Sequence, residues 1–314
     1  MADIAGRGDD AGTELVLPDR VAEHPGRGAS AILDDMDSRP GSTTSLLRTV
    51  VGLYLRRVGC WMSIADIIQL MEQLGVPAPR TRTAVVRLKK KELLLAKTVG
   101  KTIGYELNPD ATIMLAKGDR RIFSARNMRS DDAWCLISFS LPEEQRHLRH
   151  QLRRRLYWIG GGMVSPALWI CPDFLALEVE DILDDLDIRQ YTTLFRTERP
   201  RVAGELREAI GEWWDLGALE TLHREFISEL TGFVNSDEVT PAEAFARYIR
   251  GVDTWRMIPY LDPGLPYDLL PADWPGAEST RLFEDLSARY SELSWQFVTS
   301  LGETSAPRGE NRHA

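Results

Sequence analysis

Apolar positions along the chain change their spacing three times, and each change predicts a different kind of structure. In "SLLRTVVGLYLRRVG", Leu46, Val50 and Tyr54 recur every four residues beside Leu47, Val51 and Leu55, one apolar face of a helix. "SIADIIQLMEQLGV" predicts a second helix. Ser63 stands where a cap belongs, Asp66 lies in the first turn, Ile64, Ile67, Ile68 and Met71 form the stripe, and Gly75 ends it. A third helix is expected from Pro79 to Glu92, with Ala84, Val85 and Leu88 facing inward. The pattern then shortens to two strands, "LLLAKTV" and "TIGYEL", joined at Gly100 and Lys101 as a hairpin.

From Trp134 strands and helices alternate. "WCLISFSLP" reads as a strand, "EEQRHLRHQLRRRLYWIGGG" as a helix and "MVSPALWICP" as a strand or hairpin. "DFLALEVEDILDDLDI" is a second helix and "QYTTLFRT" a last strand. From about Pro200 the pattern is helical to the end, interrupted by the Pro-rich "DPGLPYDLLPADWPG". The chain is therefore expected to be an α+β multidomain protein. Three short helices and a hairpin predict a winged helix-turn-helix domain over 43–125, and the alternating segment predicts a ferredoxin-like α/β sandwich over 130–199. A helical C-terminal domain is expected over 200–302. Residues 1–42 and 303–314, rich in Gly, Pro, Ser and charge without periodicity, are expected to be disordered tails.

Composition changes this picture in one respect. Of 314 residues, 43% are hydrophobic and 27% charged, as in an ordinary soluble protein, and the formal net charge is −9. Yet residues 45–125 hold fourteen Lys or Arg against six Asp or Glu, a local +8 that leaves −17 to the remainder. Screening over roughly 8 Å at physiological salt lets such a patch act independently of distant acidic surface. No apolar run approaches the length of a membrane span and no secretory signal is visible, so a cytoplasmic protein is expected. Cys60, Cys135 and Cys171 are too scattered for a disulfide framework or zinc site and read as buried reduced thiols. His147 and His150 lack a third metal ligand, so no metal is expected.

The basic patch has a geometry. Arg80, Thr83, Arg87 and Lys90 are spaced by three, four and three, so they share the helix face opposite Ala84, Val85 and Leu88, with Arg82 and Lys89 at its flanks. A helix held by one apolar stripe and presenting cations outward suits a DNA major groove, where Arg makes bidentate contacts to guanine and Thr touches a thymine methyl. Lys90, Lys91, Lys97 and Lys101 lie toward the helix end and the hairpin, where phosphate contact is more natural. The alternative, a merely solvated face, is weakened by the two preceding helices and the hairpin, which come in the order that motif needs.

Three segments carry a family resemblance: "RTAVVRLKKKELL" with "GKTIGYEL", "SFSLPEEQRHLRHQLRRRLYWIGGGMVSPALWICP", and "WRMIPYLDPGLPYDLLPADWPG". Over about residues 45–300 the chain resembles PaaX-family transcriptional regulators. The resemblance implies a winged-helix DNA-binding domain, a central domain like the CRISPR adaptation endoribonucleases and a helical C-terminal domain. It further implies a homodimeric repressor of aromatic catabolism, bound to an inverted-repeat operator in double-stranded DNA and released by an aryl-CoA thioester such as phenylacetyl-CoA. Arg82 and Arg87 match the family's recognition helix, and Gly100 and Lys101 its wing tip. "KKKELLL" stands where the family usually has a Gly-Trp or similar turn.

Three other features of the sequence bear on function. A nuclease of the central fold would want an acid near the end of its first strand to hold a hard cation. Here that strand reads "ISFSLP" and Asp131 and Asp132 precede it, so no catalytic activity is expected. Arg146, Arg149, Arg153, Arg154 and Arg155 on one central helix face Glu178, Glu180, Asp181, Asp184 and Asp185 on the other, which predicts cross-helix pairing, or arginines free to hold CoA phosphates or more DNA. An aryl group needs an apolar pocket with a few polar anchors. Arg153, Trp169 and the cluster Trp255, Arg256 and Tyr260 are the candidates for lining it.

Overall fold

The computed structural model describes residues 38–234 and 238–305. Helix α1 (Thr43–Val50) starts where the Ser42 hydroxyl accepts from the Ser45 N–H, and it runs on as a π-turn over Val51–Leu55. β1 (Trp61–Ser63) leads into α2 (Ile64–Gln73), which Ser63 caps as expected, its Oγ accepting from the Asp66 N–H at 3.0 Å. α3 (Ala78–Lys90) begins one residue before Pro79 and stops two before Glu92, with Pro77 in the cap position. β2 (Leu94–Val99) and β3 (Thr102–Leu107) form the hairpin, turned at Gly100, whose φ of 61° favours a residue without Cβ. The antiparallel sheet has the order β1-β3-β2.

α4 (Pro109–Phe123) is an element the apolar pattern did not announce. Asn108 caps it and Pro109 fills its first position. Met114 and Leu115 pack on the core beneath α1. That core is not closed by this first unit alone. Leu47, Val50, Tyr54, Leu70 and Leu88 lie in one buried cluster with Phe245, Ile249, Val298 and Leu301 from helices near the C-terminus. Each fully buried side chain of this size contributes about 1.5–3 kcal/mol, so the first unit takes part of its stability from residues far along the chain.

The second unit runs β4 (Trp134–Phe139), α5 (Arg146–Trp158), β5 (Gly162–Ser165), β6 (Leu168–Pro172), α6 (Ala176–Asp185) and β7 (Thr192–Thr197). Its sheet is antiparallel throughout in the order β5-β6-β4-β7. Ile137, Leu152, Leu156, Val179 and Ile182 fill the space between the sheet and the two helices. On the other face, Trp134 and Ile170 pack with Trp214 and with Leu206 and Ile210 of α7 (Leu206–Trp213). A Cβ at Gly162 would lie 2.6 Å from the Trp214 ring, so glycine is what lets the indole seat there and donate to Gly160 O at 2.9 Å. α8 (Leu216–Val234), α9 (Pro241–Trp255), α10 (Ile258–Leu261) and α11 (Gly276–Ser305) complete the chain.

Some expectations need correction. Across the two central helices Arg155 approaches Asp185, at 3.9 Å, while other arginines of α5 turn to the chain beside them, Arg149 to Leu141 O and Arg153 to Pro166 O. The α6 acids turn instead to α4, where Lys117 meets Asp181 at 2.5 Å and Arg121 meets Glu178 at 2.9 Å, and to Arg189. Cys60 is exposed rather than buried. Residues 1–37 and 306–314 of the expected tails lie outside the described residues, but Ser38 is buried and α11 continues to Ser305.

Candidate functional site

On α3 the side chains divide as the spacing requires. Thr81, Ala84, Val85 and Leu88 are buried, while Arg80, Arg82, Thr83, Arg87, Lys89 and Lys90 are exposed. The side chains of Arg80, Arg82, Lys90 and Lys101 have no hydrogen-bond or ion-pair partner among the described residues. Arg87 is steadied from behind by a long contact, Nη1 to Thr44 Oγ1 at 3.4 Å, and Lys89 stands 5.9 Å over the Tyr105 ring. Thr83, exposed, donates its hydroxyl back to Pro79 O at 3.0 Å. In the hairpin Lys97 is paired with Glu106, an exposed pair worth at most about 1 kcal/mol and open to exchange for a phosphate. The result is one cationic surface, from the helix face to the hairpin tip, with its apolar side spent on the core.

Behind α3 the first unit is pinned to α9. Asp253 is fully buried and accepts from Gly41 N–H at 2.7 Å, Thr49 Oγ1 at 2.9 Å and Ser45 Oγ. Arg256 supplies the opposite charge, Nε to Asp253 Oδ1 at 3.2 Å, and also donates to Ser45 Oγ and Ser38 O. Arg250 donates to Leu74 O at 2.8 Å, and Arg57 lies 3.9 Å over the Trp295 ring. Such a hydrogen-bonded, desolvated joint resists sliding, because each broken bond would leave a buried charge unpaired.

Between α4, α6 and α10 lies a cleft of about 1200 Å³, lined from all three parts of the chain. Trp255, Arg256 and Tyr260 are on its wall; Arg153 and Trp169 are not. Arg153 donates to Pro166 O, and Trp169 is buried in the core of the second unit. The Arg256 guanidinium is held in the joint with Asp253, Ser45 and Ser38. Trp255 stacks on Phe283 at 4.7 Å and donates to Ile122 O.

Three polar groups stand in or beside this wall; the sequence singled out neither Arg121 nor His223, and named Arg155 only as one of five arginines on α5. Arg121 donates to Ile159 O at 2.6 Å, Pro259 O at 2.8 Å and Glu178, so one guanidinium ties α4 to both other parts. His223 is buried between Asp262 Oδ2 at 2.8 Å and Ser279 Oγ at 2.6 Å. Ser279 is fully buried and its one hydroxyl proton goes to Gly276 O at 3.0 Å, so it is not presented as a nucleophile. Arg155 is the third: burial holds its guanidinium below the ordinary value while Asp185 opposes, and burial in turn pushes the Asp185 carboxyl up. The caps Asn108 and Pro109 mark the helix that carries Arg121; no signal distinguished His223, or set Arg155 apart from the other arginines of α5.

Among the described residues no group of three His, Cys, Asp or Glu side chains is placed to hold a metal ion, and no helix is long and apolar enough to cross a membrane. Compared with known proteins, the chain matches three sequence models: "PaaX-like protein" over 42–111, "PaaX protein central Cas2-like domain" over 127–209 and "PaaX-like protein C-terminal domain" over 214–300. It is 27% identical over 274 residues to the transcriptional repressor PaaX of Escherichia coli (strain K12), covering 85% of this chain and 86% of that protein. The solved structure of the uncharacterized protein Rv0674 from Mycobacterium tuberculosis shares its fold, with a TM-score of 0.51, 20% identity, and 78% of this chain and 94% of that one covered. With the three models following one another along most of its length, the chain belongs to the PaaX family.

Proposed function

We propose that this protein is a sequence-specific DNA-binding transcriptional repressor of an aromatic-compound catabolic operon, released by an aromatic acyl-CoA such as phenylacetyl-CoA. The observation that carries the DNA reading is the α3 face, where the side chains of Arg80, Arg82 and Lys90 stand exposed without partners among the described residues and Arg87 beside them is braced on α1. The order α1-β1-α2-α3-β2-β3 with sheet order β1-β3-β2 supports reading residues 43–125 as a winged helix-turn-helix, α3 entering the major groove and the Lys101 tip meeting backbone phosphates. The order β5-β6-β4-β7 supports a ferredoxin-like central domain over 130–199, which we read as non-catalytic, followed by the helical domain over 200–302. A repressor role accords with the named relative in Escherichia coli.

The protein acts as a cytoplasmic homodimer whose two α3 helices meet the half-sites of an inverted repeat. The cleft, at about 1200 Å³, is large enough for a ligand of acyl-CoA size and is lined from the parts that a ligand would have to move against one another. Release follows if the effector binds better to an arrangement whose helix spacing no longer fits the operator, since a ligand shifts an equilibrium only by its differential affinity. The test is a gel shift on the duplex upstream of the protein's own coding sequence, titrated with free aromatic acids and their CoA thioesters. Binding that is lost on adding one of the thioesters supports the reading. Operator affinity unaffected by any of them removes the effector, and no preference for that duplex removes the repressor.

A further inference from the structure

The cleft contains one buried cation whose hydrogen bonds are incomplete. Arg155 lies in the last turn of α5, lines the cleft, and has a side chain only 3% exposed. Its Nε and Nη1 have no hydrogen-bond partner among the described residues. The nearest carboxylate, Asp185 Oδ2 on α6, is 3.9 Å from Nη1, beyond hydrogen-bond reach. A guanidinium withdrawn from water and short of acceptors keeps much of its desolvation cost uncompensated. Its neighbours differ: Lys117 is spent on Asp181, and Arg121 on Glu178, Ile159 O and Pro259 O. The cleft wall also carries apolar side chains, Phe174, Leu175 and Ile182 among them.

We propose that Arg155 anchors the oxyanion, carboxylate or phosphate, of a ligand seated in this cleft, the anion replacing Asp185 as its partner. The assignment rests on the effector reading given above and names the group that holds the effector. An oxyanion brings several acceptors to a cation that lacks them, and charge-assisted bonds of this kind are the strong ones. Its arrival next to Asp185 also places a second negative charge against α6, whose Asp181 and Glu178 tether α4. α4 starts directly after the Asn108 cap that follows β3, so a shift of that tether reaches the hairpin without an intervening linker.

The full-length chain is titrated calorimetrically with phenylacetyl-CoA, coenzyme A and phenylacetate. Arg155→Gln is expected to weaken at least tenfold the binding of at least one of the three that the wild type binds, whereas Arg153→Gln, outside the cleft on the same helix, leaves binding unchanged. Asp185→Asn is expected to tighten binding several-fold, because it removes the competitor for Arg155. A purely structural Asp185 would give weaker binding. Loss of coenzyme A binding in Arg155→Gln assigns the anchor to a phosphate; loss of phenylacetate binding assigns it to a carboxylate. A wild type that binds none of the three overturns the effector reading together with this one. A wild type that binds, with a folded Arg155→Gln that binds equally well, overturns the anchor alone. If Arg155→Gln fails to fold, Asp185→Asn decides: tighter binding supports the anchor, and equal or weaker binding overturns it.

Discussion

Thr49 on α1 donates its hydroxyl to the Asp253 carboxylate on α9 at 2.9 Å, inside a joint that also takes Gly41, Ser45 and Arg256. Because the same two helices also share an apolar core, the surface that carries α3 and the C-terminal helices form one body. Breaking a buried ion pair by removing one partner costs about 3–5 kcal/mol. Asp253→Ala is therefore expected to lower stability by that amount in urea unfolding, with α1–α3 and α9 melting in one transition. Two separate transitions, the first unshifted, would show that the cores are independent.

The cap of α9 predicts a pH dependence. The Thr240 N–H and hydroxyl hold the Glu243 carboxyl below its usual range. A depressed value in the folded state gives stability that is fully present above the unfolded value, about 4.3, and is lost as pH falls through the folded one. The stability difference between wild type and Glu243→Gln should be constant near neutral pH and shrink in the acid range below about 4.3. A difference that stays the same there contradicts the cap.

Thiol chemistry should separate the three cysteines. Cys60 is exposed, while Cys135 and Cys171 face one another across β4 and β6 and are buried. The hydrogen bond with Cys135, together with burial, pushes the Cys171 thiol well up. One thiol is expected to react quickly with an aromatic disulfide reagent in the native protein and the other two only on unfolding. Three fast thiols would contradict the placement.

Lys101 at the hairpin tip is expected to meet phosphate rather than bases. Lys101→Ala should weaken binding to every duplex about equally and reduce the salt dependence by about one counterion. Lys97→Ala should lose less, because Lys97 is already engaged with Glu106. A loss confined to the cognate duplex would assign base reading to the tip.

How much of this was legible beforehand depends on how local the determining pattern is. The face of α3 was fully readable, since Arg80, Thr83, Arg87 and Lys90 stand opposite Ala84, Val85 and Leu88 within one helix. The Ser63 cap and the Gly100 turn are equally local. α4 was missed because its apolar residues Ala111, Met114 and Leu115 crowd its first turns and the charged block at 117–121 separates them from Ile122, although Asn108 and Pro109 announce its start. Nothing in the spacing of Leu46 or Tyr54 says that Phe245 and Val298 complete their core, because periodicity gives a face and not its partner. The same limit governed the cleft. Trp255 and Tyr260 do reach it, but the pattern could not tell that Arg256 would be absorbed by Asp253, that Trp169 would point into its own core, or which of five arginines on α5 would face inward.

The central claim is that the exposed cations of α3 read base sequence. It is tested most directly by fluorescence anisotropy at fixed salt, comparing the wild type, Arg82→Ala and Arg87→Ala on the upstream duplex and on a shuffled duplex of equal length. Each substitution is predicted to cost about 1–3 kcal/mol on the upstream duplex and far less on the shuffled one. Equal losses on both duplexes, or none on either, would contradict it.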